Sequence, residues 1–215
     1  MPIVLSSLIG YLLGGINPAY LIAKNKGFDI RKRGSGNAGA SNAVITMGKK
    51  IGIISALLDI IKAFIAVKIA EWLFPMVQMA KVLAGLSCIM GHIFPVFLKF
   101  RGGKGLASLG GVILAFHPIV FCMMLAVEIV IVLVVDYICI VPITASIAFP
   151  IIYGSMTGDS LGTVLYSLLA IVIFYKHIDN LKRIHNGTEA HFSFLWRRKK
   201  EIERLGGNPD DDIIL

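Results

Sequence analysis

The chain has 215 residues, of which 56% are hydrophobic and only 16% charged, against about 45–50% apolar and about 25% charged in soluble domains. Its mean hydropathy is +0.80, and with roughly 20 apolar residues per bilayer crossing no length remains for a soluble domain, which argues against secreted, disordered, fibrous and soluble-enzyme classes and for an integral membrane protein. Lys and Arg number 21 against 13 Asp and Glu, a formal net charge of +8. That balance suits an anionic partner such as a lipid headgroup or a phosphorylated substrate, and not nucleic acid, because no basic and aromatic surface survives once the apolar runs are removed.

In chain order, apolar runs read as helices at roughly 3–23, 52–72, 77–98, 105–117, 119–135, 138–156 and 160–177, an all-α, polytopic bundle of about seven transmembrane helices. The 105–117 run is short and ends at His117-Pro118, with Pro118 starting the next helix. The first run has no basic leader and no small-residue cleavage pattern, so it reads as a span. Eighteen of the 21 basic residues fall in segments 24–50, 99–104 and 176 onward. Each follows an odd-numbered run, which places the N-terminus outside and the C-terminus in the cytoplasm by the positive-inside rule. Residues 1–190 read as one membrane domain. The tail, 191–215, begins amphipathic, with Phe192, Phe194, Leu195 and Trp196 beside Arg197, Arg198, Lys199 and Lys200, as suits an anionic leaflet. Its stretch 206–212 is rich in Gly, Pro and Asp and reads as disordered. Cys88, Cys122 and Cys139 lie in apolar runs without a CxxC pattern and read as small buried hydrophobes.

The three basic segments carry more polar chemistry than membrane loops need. The first contains Gly34-Ser35-Gly36-Asn37-Ala38-Gly39-Ala40-Ser41-Asn42. Closely spaced glycines let backbone N–H groups converge on an anion, and the helix that follows adds its positive N-terminal end. A plain flexible loop has a similar composition; the flanking Arg31, Lys32, Arg33, Lys49 and Lys50 favour phosphate. The second holds Gly91-His92 and Gly102-Gly103-Lys104-Gly105, a tight turn that carries a cation into a helix start. It is not a Walker A loop, since positions 98 and 105 are Leu and Gly where that motif needs Gly and Ser or Thr. His92 reads equally as an interior histidine or a functional one.

In the third segment, His177, Asn180 and Arg183 recur at three-residue spacing on one helical face, able to polarise a phosphate or carbonyl. A polar helix end crossing the headgroup region would look the same. Asp59 and Lys62 are i, i+3 within the second run and can pair in a scaffold role, while Glu128 lies mid-run without an evident partner. The His-then-Asp pattern at five-residue spacing common in lipid acyltransferases is absent: positions 97, 122, 182, 190 and 196, which follow the five histidines, hold Phe, Cys, Lys, Ala and Trp.

Taken together, the pattern resembles the bacterial acyl-phosphate:glycerol-3-phosphate acyltransferases, the PlsY family. The resemblance rests on Ser35-Gly36-Asn37, Gly39-Ala40 and Asn42, then on Gly91-His92, Phe94-Pro95 and Gly102-Gly103-Lys104-Gly105. Lys176-His177, Asn180, Arg183, Gly187 and Glu189 complete it, together with the Asp59 and Lys62 pair, from about residue 10 to 190. It implies a seven-span bundle in the bacterial inner membrane, and the basic segments would put its site on the cytoplasmic face. It also implies transfer of a fatty acyl group from acyl phosphate to glycerol 3-phosphate, giving lysophosphatidic acid and phosphate, without metal or coenzyme. In that light Lys104, with Gly102 and Gly103, would hold the phosphate of glycerol 3-phosphate. Ser35, Gly36, Asn37, Gly39 and Asn42 would hold the acyl phosphate group, with His92 and Arg183 among the binding residues. His177 and Asn180 would orient the attacking hydroxyl, or the leaving phosphate would take its proton. Asp59, Lys62 and Glu189 would be structural. One departure is Ile45, where the family typically has Arg; Arg101 or Lys49 would have to substitute, or activity would be altered. A non-enzymatic protein that binds or transports an organic phosphate or lipid headgroup is the competing reading, although transporters usually place polar residues near the midplane and show repeat halves.

Overall fold

The computed structural model describes residues 1–205, and among these every regular element is helical. The helices are α1 (Pro2–Gly15), α2 (Pro18–Asn25), α3 (Ala40–Met47), α4 (Lys49–Leu73), α5 (Gln78–Ile93), α6 (Leu106–Phe116), α7 (Pro118–Val135), α8 (Val141–Thr157), α9 (Ser160–His185) and α10 (Arg198–Arg204). The expected disorder of 206–212 lies outside the described residues.

Among the described residues, five segments are long and apolar enough to cross a membrane: Pro2–Asn25, Gln78–Leu98, Pro118–Val135, Ile138–Thr157 and Ser160–His185. The expectation of about seven is therefore wrong by two, for two different reasons. The 52–72 run does form a helix, α4, but Asp59, Lys62, Lys68 and Glu71 make it too charged to count among the apolar ones. The 105–117 run forms α6, which has 11 residues; at about 1.5 Å per residue it covers only about half of a ~30 Å hydrocarbon layer. The inference of an outside N-terminus and a cytoplasmic C-terminus relied on alternation across seven runs; a count of five removes that support without reversing the orientation. What the fold does show is that all three basic segments meet at one end of the bundle, around one cavity.

The first run is also broken. Pro18 cannot extend the ladder of α1, and Asn17 caps α2, its Oδ1 accepting from the Tyr20 N–H at 2.8 Å. Carbonyls freed at the break, those of Gly14 and Ile16, accept from the Lys62 ammonium at 2.9 and 2.6 Å. Upstream of the break, α1 and α5 pack backbone to backbone. A Cβ at Gly14 would lie 2.0 Å from the Cys88 carbonyl oxygen, and one at Gly91 would lie 2.3 Å from that of Tyr11.

The main core joins α4, α5, α6, α8 and α9 through Val67, Ile89, Val112, Phe149 and Ile173. At the end away from the cavity, Phe116, Phe149, Tyr153 and Tyr166 form edge-to-face pairs, and Tyr153 donates to Asp159 at 2.7 Å. A smaller core of Ala19, Ala23, Ile30, Ala38 and Ala43 underlies the first polar segment. On α7 only the i, i+4, i+8 stripe of Met124, Glu128 and Val132 is buried. Glu128 thus faces inward and gains the partner its sequence context did not reveal, since Thr144 Oγ1 donates to it at 2.7 Å. Cys88 and Cys139 are buried as expected, whereas Cys122 is exposed on the outward side of α7.

Gly14→Ala should overpack the α1–α5 contact, and about 1–3 kcal/mol of destabilisation is expected. Thermal unfolding of the detergent-solubilised protein should show a midpoint several degrees lower. An unchanged midpoint would mean that the two helices separate freely.

Candidate active site

The loop before α3 is organised around one buried side chain. Asn42 Oδ1 accepts from the Ser35 N–H at 2.9 Å, and its Nδ2 donates towards the carbonyls of Ile30, Arg33 and Asn37 at 3.0, 3.0 and 2.8 Å. Two N–H bonds serve three acceptors, so one is shared. Asn17 adds a second staple, donating to the Ala38 carbonyl at 2.8 Å. Arg31 bonds Asp29 and reaches the Leu98 carbonyl at 2.8 Å, tying the loop to the second segment. The hydrogen bond from Arg31 holds the Asp29 carboxyl below its ordinary value. Arg33 lies over the Phe28 ring at 4.3 Å. The turn itself needs positive φ at Gly34 and Gly36, +56° and +71°. α3 then starts at Gly39 with no side-chain cap, so its first N–H groups, at Ala40 and Ser41, have no intrahelical acceptor.

In the second segment the glycines serve packing. Gly102 and Gly103 donate their N–H groups to the carbonyls of Ile93 and His92, at 3.1 and 3.0 Å, closing the end of α5. Those donors are therefore engaged and not free for an anion, contrary to the sequence reading. A Cβ at Gly103 would stand 2.0 Å from His92 Nε2, so the glycine is required by the imidazole against which it lies. The result is a fixed turn that projects Lys104 into the cavity.

In the third segment, on α9, Asn180 Oδ1 accepts from the Lys104 ammonium and Nδ2 donates to Glu189 Oε1 at 2.5 Å. Glu189 Oε2 accepts from Arg183 Nε at 2.6 Å. Arg183 is thus paired with a carboxylate and does not line the cavity. His177 Nδ1 lies 2.7 Å from the Ile173 carbonyl. A carbonyl only accepts, so Nδ1 carries the proton, and the neutral ring presents Nε2 as an acceptor. Burial lowers the Lys104 pKa to about 8, with the positive charge of Arg183 pushing the same way and Glu189 opposing both.

Beneath the site, Asp59 Oδ1 sits 2.6 Å from Lys62 Nζ and 3.2 Å from His92 Nδ1, and Lys62 Nζ is 3.0 Å from that same ring nitrogen. The carboxylate oxygen is close enough for ion pairing but out of hydrogen-bond alignment. The paired charges are nearly fully buried, a burden that mutual neutralisation makes tolerable.

One cavity of about 380 Å³ unites the three segments. Ser35, Asn37 and Gly39 line it from the first, His92 and Lys104 from the second, and His177, Asn180 and Glu189 from the third, with Asp59 at its floor. Gly36, Asn42, Lys62, Gly102, Gly103 and Arg183 stand behind these residues and do not line it. Lys104 is the one lysine or arginine among the lining residues. Neither candidate for replacing a cation at position 45 reaches the cavity: Arg101 is exposed, and Lys49 donates to the Leu195 carbonyl. Ile45 is instead part of an apolar wall with Val44, Ile53 and Ala56. Sequence reasoning missed Phe192, Phe194 and Leu195 of the tail as lining residues. The signal available was their apolar pattern, which suits a lipid surface equally well.

A cation, an uncapped helix start and an apolar wall in one cavity at the end of a membrane bundle can hold a phosphorylated amphiphile. This is the layout of a membrane protein that handles lipid precursors. Residues 4–187 match the family model "Glycerol-3-phosphate acyltransferase". The chain is 38% identical over 189 residues to the glycerol-3-phosphate acyltransferase of Thermoanaerobacter sp. (strain X514), covering 87% of this chain and 94% of that protein. For the glycerol-3-phosphate acyltransferase of Bacillus subtilis (strain 168) identity is 36% over 196 residues, covering 91% and 100%. The fold superposes on the crystal structure of PlsY (YgiH), an integral membrane glycerol 3-phosphate acyltransferase, in its glycerol 3-phosphate form. There the TM-score is 0.83 at 34% identity, with 90% of this chain and 96% of that one covered. The lysophosphatidic acid form gives a TM-score of 0.78, also at 34% identity, covering 88% and 94%. The chain belongs to the glycerol-3-phosphate acyltransferase family.

Asn42→Ala removes the four side-chain hydrogen bonds that Asn42 makes within the first loop. Hydrogen exchange should accelerate about five- to 150-fold across 30–39, for roughly 1–3 kcal/mol of lost local stability, while α5 and α9 keep their protection. Unaltered exchange in the loop would show that Asn17 and Arg31 suffice to hold it.

Proposed function

We propose that this protein transfers a fatty acyl group from acyl phosphate to glycerol 3-phosphate, releasing lysophosphatidic acid and inorganic phosphate. The observation that carries the reading is the convergence of Lys104, the uncapped start of α3 and the apolar wall of α3–α4 on one cavity. Both substrates bear phosphate, and the donor alone bears a long apolar chain. Lys104 takes the phosphate of glycerol 3-phosphate. The α3 start, with Ser35 and Asn37, takes the phosphate of the donor. The acceptor hydroxyl oxygen attacks the acyl carbonyl carbon, the bond from that carbon to the phosphate oxygen breaks, and phosphate departs. His177 Nε2, left as an acceptor by the bond at Nδ1, orients the hydroxyl and takes its proton, or passes that task to the departing phosphate. Asn180 acts by positioning Lys104, and Glu189 with Arg183 anchors Asn180 in turn.

Residues 1–190 serve as the single catalytic domain, and the site faces the cytoplasm of a bacterial cell. The support for that side is that eighteen of the 21 basic residues fall in the three segments that meet there, and the relatives named above are bacterial.

The test is acyl transfer by the purified protein from palmitoyl phosphate to radiolabelled glycerol 3-phosphate, with acyl-CoA and acyl carrier protein thioesters as parallel donors. Label in lysophosphatidic acid with acyl phosphate alone is expected; no product from a folded sample would reject the reading. Lys104→Ala should raise the KM for glycerol 3-phosphate about tenfold or more, as for loss of a charged hydrogen bond of roughly 1.5–3 kcal/mol.

A pH profile gives an independent check. Lys104 is a cation below about 8 and neutral above it, so kcat/KM for glycerol 3-phosphate should fall as pH rises through that value. Bound phosphate favours the cation and moves the kcat limb to higher pH. Lys104→Arg should abolish the limb, because guanidinium stays protonated. A limb that persists in this variant would assign it to another group.

A further inference from the structure

The match to the family model ends at residue 187, but the chain does not leave the bundle there. It turns back across the cavity and is fastened on several sides. The Phe192 N–H donates to the Asp136 carbonyl at 2.6 Å. Ser193 bonds the Asp136 carboxylate twice, N–H to Oδ1 at 2.6 Å and Oγ to Oδ2 at 2.8 Å. Asp136 ends α7 at φ +61°, a left-handed conformation uncommon outside glycine, and Tyr137 stacks on His191 with ring centroids 4.9 Å apart. From the opposite side Lys49, at the start of α4, donates to the Leu195 carbonyl. Arg204 donates to the carbonyls of Gly187 and Glu189, both at 2.6 Å, and pairs with Glu201, which accepts from the His191 N–H at 2.7 Å. Burial alone would raise the Glu201 pKa; hydrogen bonds from Arg204 and His191 bring it down to about 2.

So held, the segment places Phe192, Phe194 and Leu195 in the cavity wall beside Ile45 and Ile53. Phe194 is 8% exposed. Of the two substrates in the proposed reaction, glycerol 3-phosphate is polar throughout and gains nothing from such a surface, whereas an acyl chain does. We propose that residues 188–205 form a strap that builds the acyl-donor wall of the cavity, with Phe194 the residue that sets donor affinity. The proposal rests on the acyltransferase reading for its substrate.

Steady-state kinetics on the full chain in detergent separate the two substrates. Phe194→Ala should raise the KM for palmitoyl phosphate about tenfold, the scale of a lost buried aromatic contact, with the KM for glycerol 3-phosphate within about twofold of wild type. Phe194→Leu should recover most of the loss. Ser193→Ala loosens the strap without touching the wall and should change the same constant in the same direction. An unchanged donor KM in Phe194→Ala, or an equal rise for both substrates, overturns the proposal.

Tryptophan fluorescence gives a readout free of turnover. The sequence has two tryptophans, and Trp196 packs edge-on against Phe192 at 5.4 Å. In Trp72→Phe, titration with palmitoyl phosphate should shift Trp196 emission, and adding Ser193→Ala should weaken that response. A wild-type chain without turnover would reject the acyltransferase reading, and the titration would still decide the strap: emission that ignores palmitoyl phosphate overturns it.

Discussion

An ammonium group inside an apolar bundle must be matched on every side, and Lys62 is matched by three separate elements. It pairs with Asp59 on its own helix, takes the two carbonyls freed where α1 breaks, and lies against His92 on α5. The break at Ile16–Asn17 and the charge on α4 therefore explain each other. Without the lysine the opened carbonyls would lack donors in a region short of water, and without the break the lysine would lack acceptors. Three helices are locked at this point, directly under the cavity.

From there the order of the site propagates by contact. His92 fixes Gly103 by leaving no room for a side chain, and the glycine N–H groups close α5. The turn so fixed delivers Lys104 to Asn180, which Glu189 holds and Arg183 balances. Glu189 is also gripped at its carbonyl by Arg204 of the strap. A buried pair in the middle of α4 and a salt bridge on the surface tail thus belong to one continuous scaffold, with a single side-chain ammonium as its working end.

Much of this was legible in the sequence because polar residues in a membrane protein are costly and seldom idle. The three polar segments, the Asp59–Lys62 pair and the family all followed from that rule. Less visible was which polar atoms remain free after folding. Asn42, Gly102 and Gly103 carry the right chemistry for an anion, yet their groups are consumed in holding the chain that surrounds it. The span count failed because a tally of apolar runs passes over the charges that interrupt α4 and the shortness of α6. α6 is apolar but short, and it is buried against α4, where a Cβ at Gly111 would meet the Ile60 carbonyl at 2.1 Å. The strap was read as a lipid-surface segment because an apolar face beside basic residues does not specify what it covers. Its placement depends on Asp136, a residue some 57 positions away from Ser193.

The electrostatics of Lys104 suit a site that must both capture and release phosphate. Burial and the neighbouring Arg183 disfavour its charge, and Glu189 only partly compensates, already engaged as it is by Asn180 and Arg183. The site is therefore short of negative charge, and an arriving phosphate would supply it. Phosphate binding and protonation of Lys104 must then reinforce each other, because any ligand that prefers the cation raises the lysine's proton affinity by the same free energy. The second anion position of the proposed reaction, at the start of α3, would work differently. A helix end contributes only about half a unit charge and has no proton to gain or lose. With Ile45 apolar beside it, that position would hold a phosphate mainly through backbone donors. In the proposed reaction, transfer of the acyl group would leave inorganic phosphate there without the apolar chain that held the donor in place, so that product would depart from the weaker of the two anion positions.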